Sequence, residues 1–154
     1  CIRDRPITVM YRKARKIWMS DFMINGRKKG KVKPVPADIN GLKKVLIALK
    51  NGEAVGILPD QVADKGEGEW ANFFGRPAYT MVLISKLIKR TDATIIMACG
   101  ERLKNGNGFD IHVEEIQRKD IETPNNLNKQ VENFIKKNPT QYYWSYDRYK
   151  SVQK

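Results

Sequence analysis

Apolar and polar positions divide the chain into short alternating elements. Ile7-Thr8-Val9-Met10-Tyr11 is rich in β-branched side chains and predicts a strand. The stretch from about Ala14 to Ile24, ending near Asn25-Gly26, predicts a helix. Arg27 to Pro36 reads as a basic loop, because Pro34 and Pro36 oppose regular structure. Asp38 is placed to cap a helix whose apolar residues Ile39, Leu42, Val45, Leu46 and Leu49 recur at helical spacing up to Asn51-Gly52. Ala54 to Leu58 is a short apolar run between Gly52 and Pro59, the pattern of a buried parallel strand.

From Asp60 to Pro77 the composition turns to Gly, Asp and Glu around the aromatics Trp70, Phe73 and Phe74, which predicts a long functional loop. A helix from about Ala78 to Arg90 and a strand from Thr94 to Ala98 would complete a second strand-helix-strand unit. Phe109, Ile111 and Val113 alternate with polar residues and predict a half-exposed strand, paired across Asn105-Gly106-Asn107-Gly108 with the segment near Gly100 to Leu103. Thr123-Pro124 opens a last helix carrying Leu127, Val131, Phe134 and Ile135 on one face, with Pro139 beyond its end. The expected fold is α/β, a mostly parallel central sheet flanked by helices with a short antiparallel hairpin, in a single domain over residues 1–154.

No apolar run approaches the roughly 18 residues that span a bilayer, so these residues are expected to be soluble or peripheral. Cys99 lies in an apolar run and reads as a buried thiol in a reducing compartment. Charge sharpens the picture more. Residues 1–50 hold 14 Lys and Arg against 3 Asp and Glu, whereas residues 51–154 hold 15 against 14, so the net +12 is concentrated at one end. Such a field suits phosphate-bearing partners, whether nucleic acid, an anionic membrane or a phosphorylated substrate.

The run Ile57-Leu58-Pro59-Asp60-Gln61 places a carboxylate and an amide after a strand, where open α/β sheets bind ligands; a turn or capping role for Asp60 is the alternative. Leu58-Pro59-Asp60-Gln61, a Gly-rich stretch and Phe73-Phe74-Gly75-Arg76-Pro77-Ala78-Tyr79-Thr80 together resemble the central block of the bacterial lipid A lauroyl/myristoyl acyltransferases, within the glycerolipid and lysophospholipid acyltransferase group. Tyr11-Arg12-Lys13 resembles the family's Tyr-Arg-Pro segment, with Lys13 in place of the proline. Gly26-Arg27, Gly41-Leu42 to Gly52-Glu53, and the tail from Asn138-Pro139 to Arg148-Tyr149-Lys150 follow in the family's order.

The resemblance implies transfer of a fatty acyl chain from acyl carrier protein, or less often coenzyme A, to a hydroxyl of a lipid A precursor. The implied place is the cytoplasmic face of the inner membrane, with no metal or redox cofactor. The family's general base is a histidine followed five positions later by Asp or Glu. His112 is the only histidine and is followed at that spacing by Gln117, so it reads as a solvated surface residue. Because the chain opens on Cys1 rather than methionine, it is expected to be the C-terminal part of a longer enzyme, with the catalytic motif and membrane anchor upstream and the isolated fragment inactive.

The acceptor-binding residues implied are Arg12, Arg27, Asp60, Gln61 and Arg148. Arg12 and Arg27 offer bidentate donors for phosphate, or alternatively add to a basic face, and Arg148 has the alternative of a surface ion pair. Lys28, Lys29, Lys31 and Lys33 suit anionic lipid headgroups or the acidic carrier protein. Trp70, Phe73 and Phe74 line an acyl or membrane-facing groove or else pack as core. Two rivals remain: a lysophospholipid acyltransferase with a glycerol-phosphate acceptor, and a basic nucleic-acid-binding module, which leaves Pro59-Asp60-Gln61 unexplained. Nucleic acid is not an expected partner.

Overall fold

The structure, a computed structural model, describes residues 5–11 and 30–150. The helix expected between Ala14 and Ile24 lies outside the described residues. The chain divides into two units, Cys1–Leu58 and Pro59–Lys154, and each is described by itself.

In the first unit, β1 (Ile7–Tyr11) forms the middle of a parallel sheet, between β2 (Val32–Pro36) and β3 (Ala54–Gly56). β2 runs through the expected loop, prolines included, with Val9 opposite Pro34 and Tyr11 opposite Pro36. The reason is one of parity. The Ile7 amide donates to the Lys31 carbonyl (3.2 Å) and the Ala37 amide to the Tyr11 carbonyl (2.9 Å). Odd-numbered residues of β2 therefore face β1, and the two prolines fall on the outer edge, where no N–H is needed.

Helix α1 (Ile39–Lys50) follows as expected, capped by Asp38, whose Oδ1 accepts from the Gly41 amide at 2.9 Å. Gly41, Val45 and Ala48 form its buried stripe, while Ile39 and Ile47 are exposed. The turn into the helix is so tight that a Cβ at Gly41 would overlap the Pro36 carbonyl. Gly41→Ala is therefore expected to cost about 3 kcal/mol, read from the midpoint of urea unfolding. At the other end Gly52 takes φ 70°, and the chain turns into β3. β3 is shorter and less buried than expected: it leaves the ladder after Gly56, ahead of Pro59, and Leu58 is exposed.

In the second unit strand pairing takes the place of the expected loop and helix start. The expected long loop and the first turns of the expected helix form a β-hairpin, β4 (Gly68–Phe73) with β5 (Arg76–Met81), antiparallel with Ala71 opposite Ala78. The turn residues Phe74 and Gly75 both have positive φ (47° and 78°), the conformation that matches strand twist in two-residue hairpins. Ala71, Phe73, Ala78 and Thr80 are buried on one face, so the two-residue period wins over the helical one. Only Leu83–Ile88 is helical, as α2. Arg118 closes its C-terminal end, donating to the carbonyls of Ile88 (2.7 Å), Thr91 (2.8 Å) and Ala93 (3.1 Å).

β6 (Ile96–Arg102) was expected as a parallel strand completing a crossover unit. It pairs instead along its whole length, antiparallel, with β7 (Phe109–Glu115). The turn between them, with Asn105, Gly106 and Gly108 at positive φ, sets a hairpin register that takes up the whole run. β7 is exposed throughout, beyond the half-exposure expected. The face bearing Ile96, Phe109, Ile111 and Val113 is exposed, and the other face carries Met97 onto the core and half-buries Cys99. Helix α3 (Pro124–Lys137) has Pro124 in its first turn and the Thr123 hydroxyl as its cap, accepting from the Asn126 amide at 3.2 Å. Its Val131 and Ile135 pack with Phe73 and Ala78 to form the core of this unit, joined by Phe74, Met97, Tyr142 and Tyr149. The α/β class stands; among the described residues the parallel part has three strands, and antiparallel hairpins replace the second crossover.

Candidate functional site

Pro59 and Asp60 turn the chain into the second unit, and the next residues are pinned from two sides. Val62 bridges Thr80, and the Ala63 amide donates to the Tyr79 carbonyl at 3.3 Å, so the segment lies along β5. From the opposite direction the Val62 amide donates to the Tyr146 hydroxyl at 3.0 Å. The glycines beyond form no open loop: the amides of Gly66 and Gly68 both donate to the Tyr79 hydroxyl (3.2 and 3.3 Å). A Cβ at Gly68 would stand 2.7 Å from the Thr80 carbonyl oxygen.

Arg148 lies beneath this segment, 2% exposed. Its Nη1 donates to the Tyr79 carbonyl (3.0 Å), and its Nη2 to Thr80 Oγ1 (2.8 Å) and Asn128 Oδ1 (3.3 Å). Thr80 also accepts from Asn128 Nδ2 (2.9 Å) and gives its own proton to the Ala78 carbonyl (3.1 Å). The guanidinium carbon sits 5.3 Å from the Phe73 ring centroid. Among the described residues no carboxylate lies within ion-pair distance of it, and Nε has no partner. Burial lowers its pKa, opposed by Tyr142, Tyr146 and Asp60, yet an arginine remains a cation at physiological pH. Burial likewise raises the Tyr142 phenol, and the Asp60 charge adds to the rise. The Tyr149 phenol is raised by burial against the pull of Arg76, and its hydroxyl donates to the Phe73 carbonyl at 2.8 Å. Both phenols are therefore neutral near pH 7.

Of the residues singled out in the sequence, Asp60 and Arg148 come within each other's field. Gln61 is half-buried beside Asp60. Arg148 is neither exposed nor a surface ion-pair partner; it is the centre of a buried polar network. Arg12, Arg27, Lys28 and Lys29 lie outside the described residues. Lys33, on the sheet edge, pairs with Glu53 at 3.1 Å. The three aromatics separate: Phe73 is core, Phe74 packs against it, and Trp70 is exposed on the other face of the hairpin, 5.4 Å from the Tyr79 ring. His112 is exposed and bonded to Glu101 at 2.9 Å, a surface placement as expected. Sequence reasoning missed Tyr79, Thr80, Asn128 and Tyr146. No local pattern announces them, because the partners of Arg148 are a backbone carbonyl, a hydroxyl and an amide oxygen far from it in sequence.

The description bacterial lipid A biosynthesis acyltransferase names a family that matches residues 2–151, nearly the whole chain. The chain belongs to that family. A search of curated proteins returns no significant match. The lipid A biosynthesis acyltransferases are acyl-transferring enzymes, and the tail holding Arg148 falls inside the family match. No helix of the lipid A acyltransferase chain, among the described residues, is long and apolar enough to cross a membrane. Among the same residues no group of three or more His, Cys, Asp or Glu is arranged to hold a metal ion.

Proposed function

We propose that this chain supplies the acceptor side of a transferase that moves a fatty acyl group from acyl carrier protein, or less often coenzyme A, to a hydroxyl of a lipid A precursor. The carrying observation is Asp60: a half-buried carboxylate at a fixed turn, in the Pro59-Asp60-Gln61 block inside the family match. Asp60 and Gln61 orient the acceptor, and Arg12 and Arg27 take its phosphates. Trp70 is the one member of the aromatic set whose exposure suits an acyl or membrane-facing groove. The basic residues of the first 50 positions serve the acidic carrier protein and an anionic membrane at the cytoplasmic face of the inner membrane. The parallel sheet belongs to a glycerolipid acyltransferase-like fold, and the reaction uses neither metal nor redox cofactor.

Attack of a hydroxyl on a thioester needs a positioned base, worth about 10²–10⁴-fold. His112, exposed on β7 with Gln117 five positions on, is not that base, so these 154 residues alone are proposed to be inactive. The test is Asp60→Asn in the natural full-length enzyme, assayed with acyl carrier protein thioester and a lipid A precursor. A loss of about tenfold in kcat/KM, carried by the acceptor KM, is expected, equivalent to about 1.4 kcal/mol. An unchanged acceptor KM would remove Asp60 from the site, and preference for a lysophospholipid acceptor would move the enzyme to the glycerol-phosphate branch.

A further inference from the structure

We propose that Tyr146 and Arg148 are positioning residues that set acceptor affinity by fixing the Asp60-Gln61 segment from the C-terminal tail. This rests on the assignment of Asp60 to the acceptor side. Asp60 and Gln61 stand two residues and one residue before an anchored backbone group, the Val62 amide, which Tyr146 holds across 84 positions of sequence. Along its other side the segment pairs with Tyr79 and Thr80 of β5, and these are the two residues that Arg148 grips with its two terminal nitrogens. One short stretch of tail therefore determines both walls between which the Asp60 turn is held.

A role in stability alone explains this arrangement poorly. A guanidinium taken out of water without a carboxylate within 4 Å incurs a desolvation cost that an apolar side chain of similar size avoids, and such replacements are often neutral or stabilising. Arg148 uses three of its possible donor contacts, all on Tyr79, Thr80 and Asn128, and Nε has none. What an apolar residue does not supply is a fixed fork and a permanent positive potential beside Asp60. Asp60 is a carboxylate whose charge acts on Arg148.

The experiment uses the full-length enzyme with acyl carrier protein thioester and a lipid A precursor, comparing Tyr146→Phe, Arg148→Lys and Arg148→Met with Asp60→Asn. Tyr146→Phe removes one hydrogen bond and little volume. It is expected to raise the acceptor KM about fivefold, with the donor KM unchanged and kcat within about twofold. Arg148→Lys keeps the charge and loses the fork, and its acceptor KM is expected to fall between those of wild type and Arg148→Met. Faster hydrogen exchange at the Val62 amide in Tyr146→Phe links the kinetic change to the released segment. An unchanged acceptor KM in Tyr146→Phe and Arg148→Lys, or a proportional loss in which donor and acceptor parameters change alike, overturns the positioning role. If Asp60→Asn alone raises the acceptor KM, the Asp60 assignment stands and only the positioning role falls. If Asp60→Asn leaves it unchanged, the assignment itself falls.

Discussion

Thr80→Val, although it conserves shape, is expected to destabilise the protein by about 3–4 kcal/mol. Thr80 is fully buried, and its hydroxyl takes bonds from Arg148 and Asn128 while giving one to the Ala78 carbonyl. A hydrogen bond to a charged group contributes about 1.5–3 kcal/mol and a neutral one about 1 kcal/mol, and a buried donor left without a partner costs more than a bond removed together with both its ends. Arg148 would keep only the Tyr79 carbonyl and the longer 3.3 Å contact to Asn128, with Nε already unpartnered. The diagnostic comparison is the double variant Thr80→Val/Arg148→Met. Removing the cation along with its acceptor is expected to restore about 1–2 kcal/mol relative to Thr80→Val alone, because the penalty belongs to the stranded charge. Urea unfolding of the four proteins of this cycle measures it. A Thr80→Val variant within about 1 kcal/mol of wild type, or a double variant weaker than the single, would show that the guanidinium does not depend on this acceptor.

Phe73→Ala is the other large effect, expected at about 3–5 kcal/mol. Phe73 is 1% exposed and the largest of the fully buried side chains. It meets the Phe74 ring at 4.9 Å between centroids and the Tyr149 ring at 6.1 Å, and it forms the apolar floor under Arg148. Truncation opens a cavity bordered by Val131 and Ile135 and removes the ring face that the guanidinium covers. Against a total stability of about 5–15 kcal/mol, that loss is about a fifth of the total or more. Phe73→Leu, which refills most of the volume, is expected to cost about 1.5 kcal/mol or less. Thermal and urea unfolding followed by near-ultraviolet circular dichroism read both. The result also separates the two assignments for this ring: a groove residue would alter acyl-chain preference at nearly constant stability, whereas a core residue changes stability first.

Elements governed by local chemistry were legible from sequence. The Asp38 cap and the apolar spacing of α1, the Thr123-Pro124 start of α3 and the Asn-Gly turn before β7 each write their structure within a few residues. The failures have a common form, since each was decided by a partner distant in sequence. Pro34 and Pro36 exclude a strand only if their edge of it must donate, and whether it must depends on which side β1 lies. The run from Ala78 onward fits a helix by composition, and its strand state comes from pairing with β4 across a Phe-Gly turn that lacks the asparagine or aspartate usual at such a position. Asp60 was visible because a carboxylate after an apolar run is a local signal. The buried network of the same unit was not: Thr80, Asn128, Tyr146 and Arg148 span 68 positions and converge only in three dimensions. A charged residue six places from the end of a basic chain gives no sign by itself that it is 2% exposed.

The two prolines of β2 also have a consequence for how the parallel sheet can grow. An incoming strand joins a sheet by trading amide protons with the row it meets, and the outer row of β2 has ring nitrogens at positions 34 and 36 where protons would be needed. That border is chemically closed, whether the newcomer is another segment of the same protein or a neighbouring molecule. β3, three residues long and free of proline, has no strand on its outer side among the described residues. The sheet thus has two unlike borders, one interrupted at Pro34 and Pro36 and the other running along β3, and a misfolding chain that tried to stack strand upon strand would meet the proline border in one of its two directions.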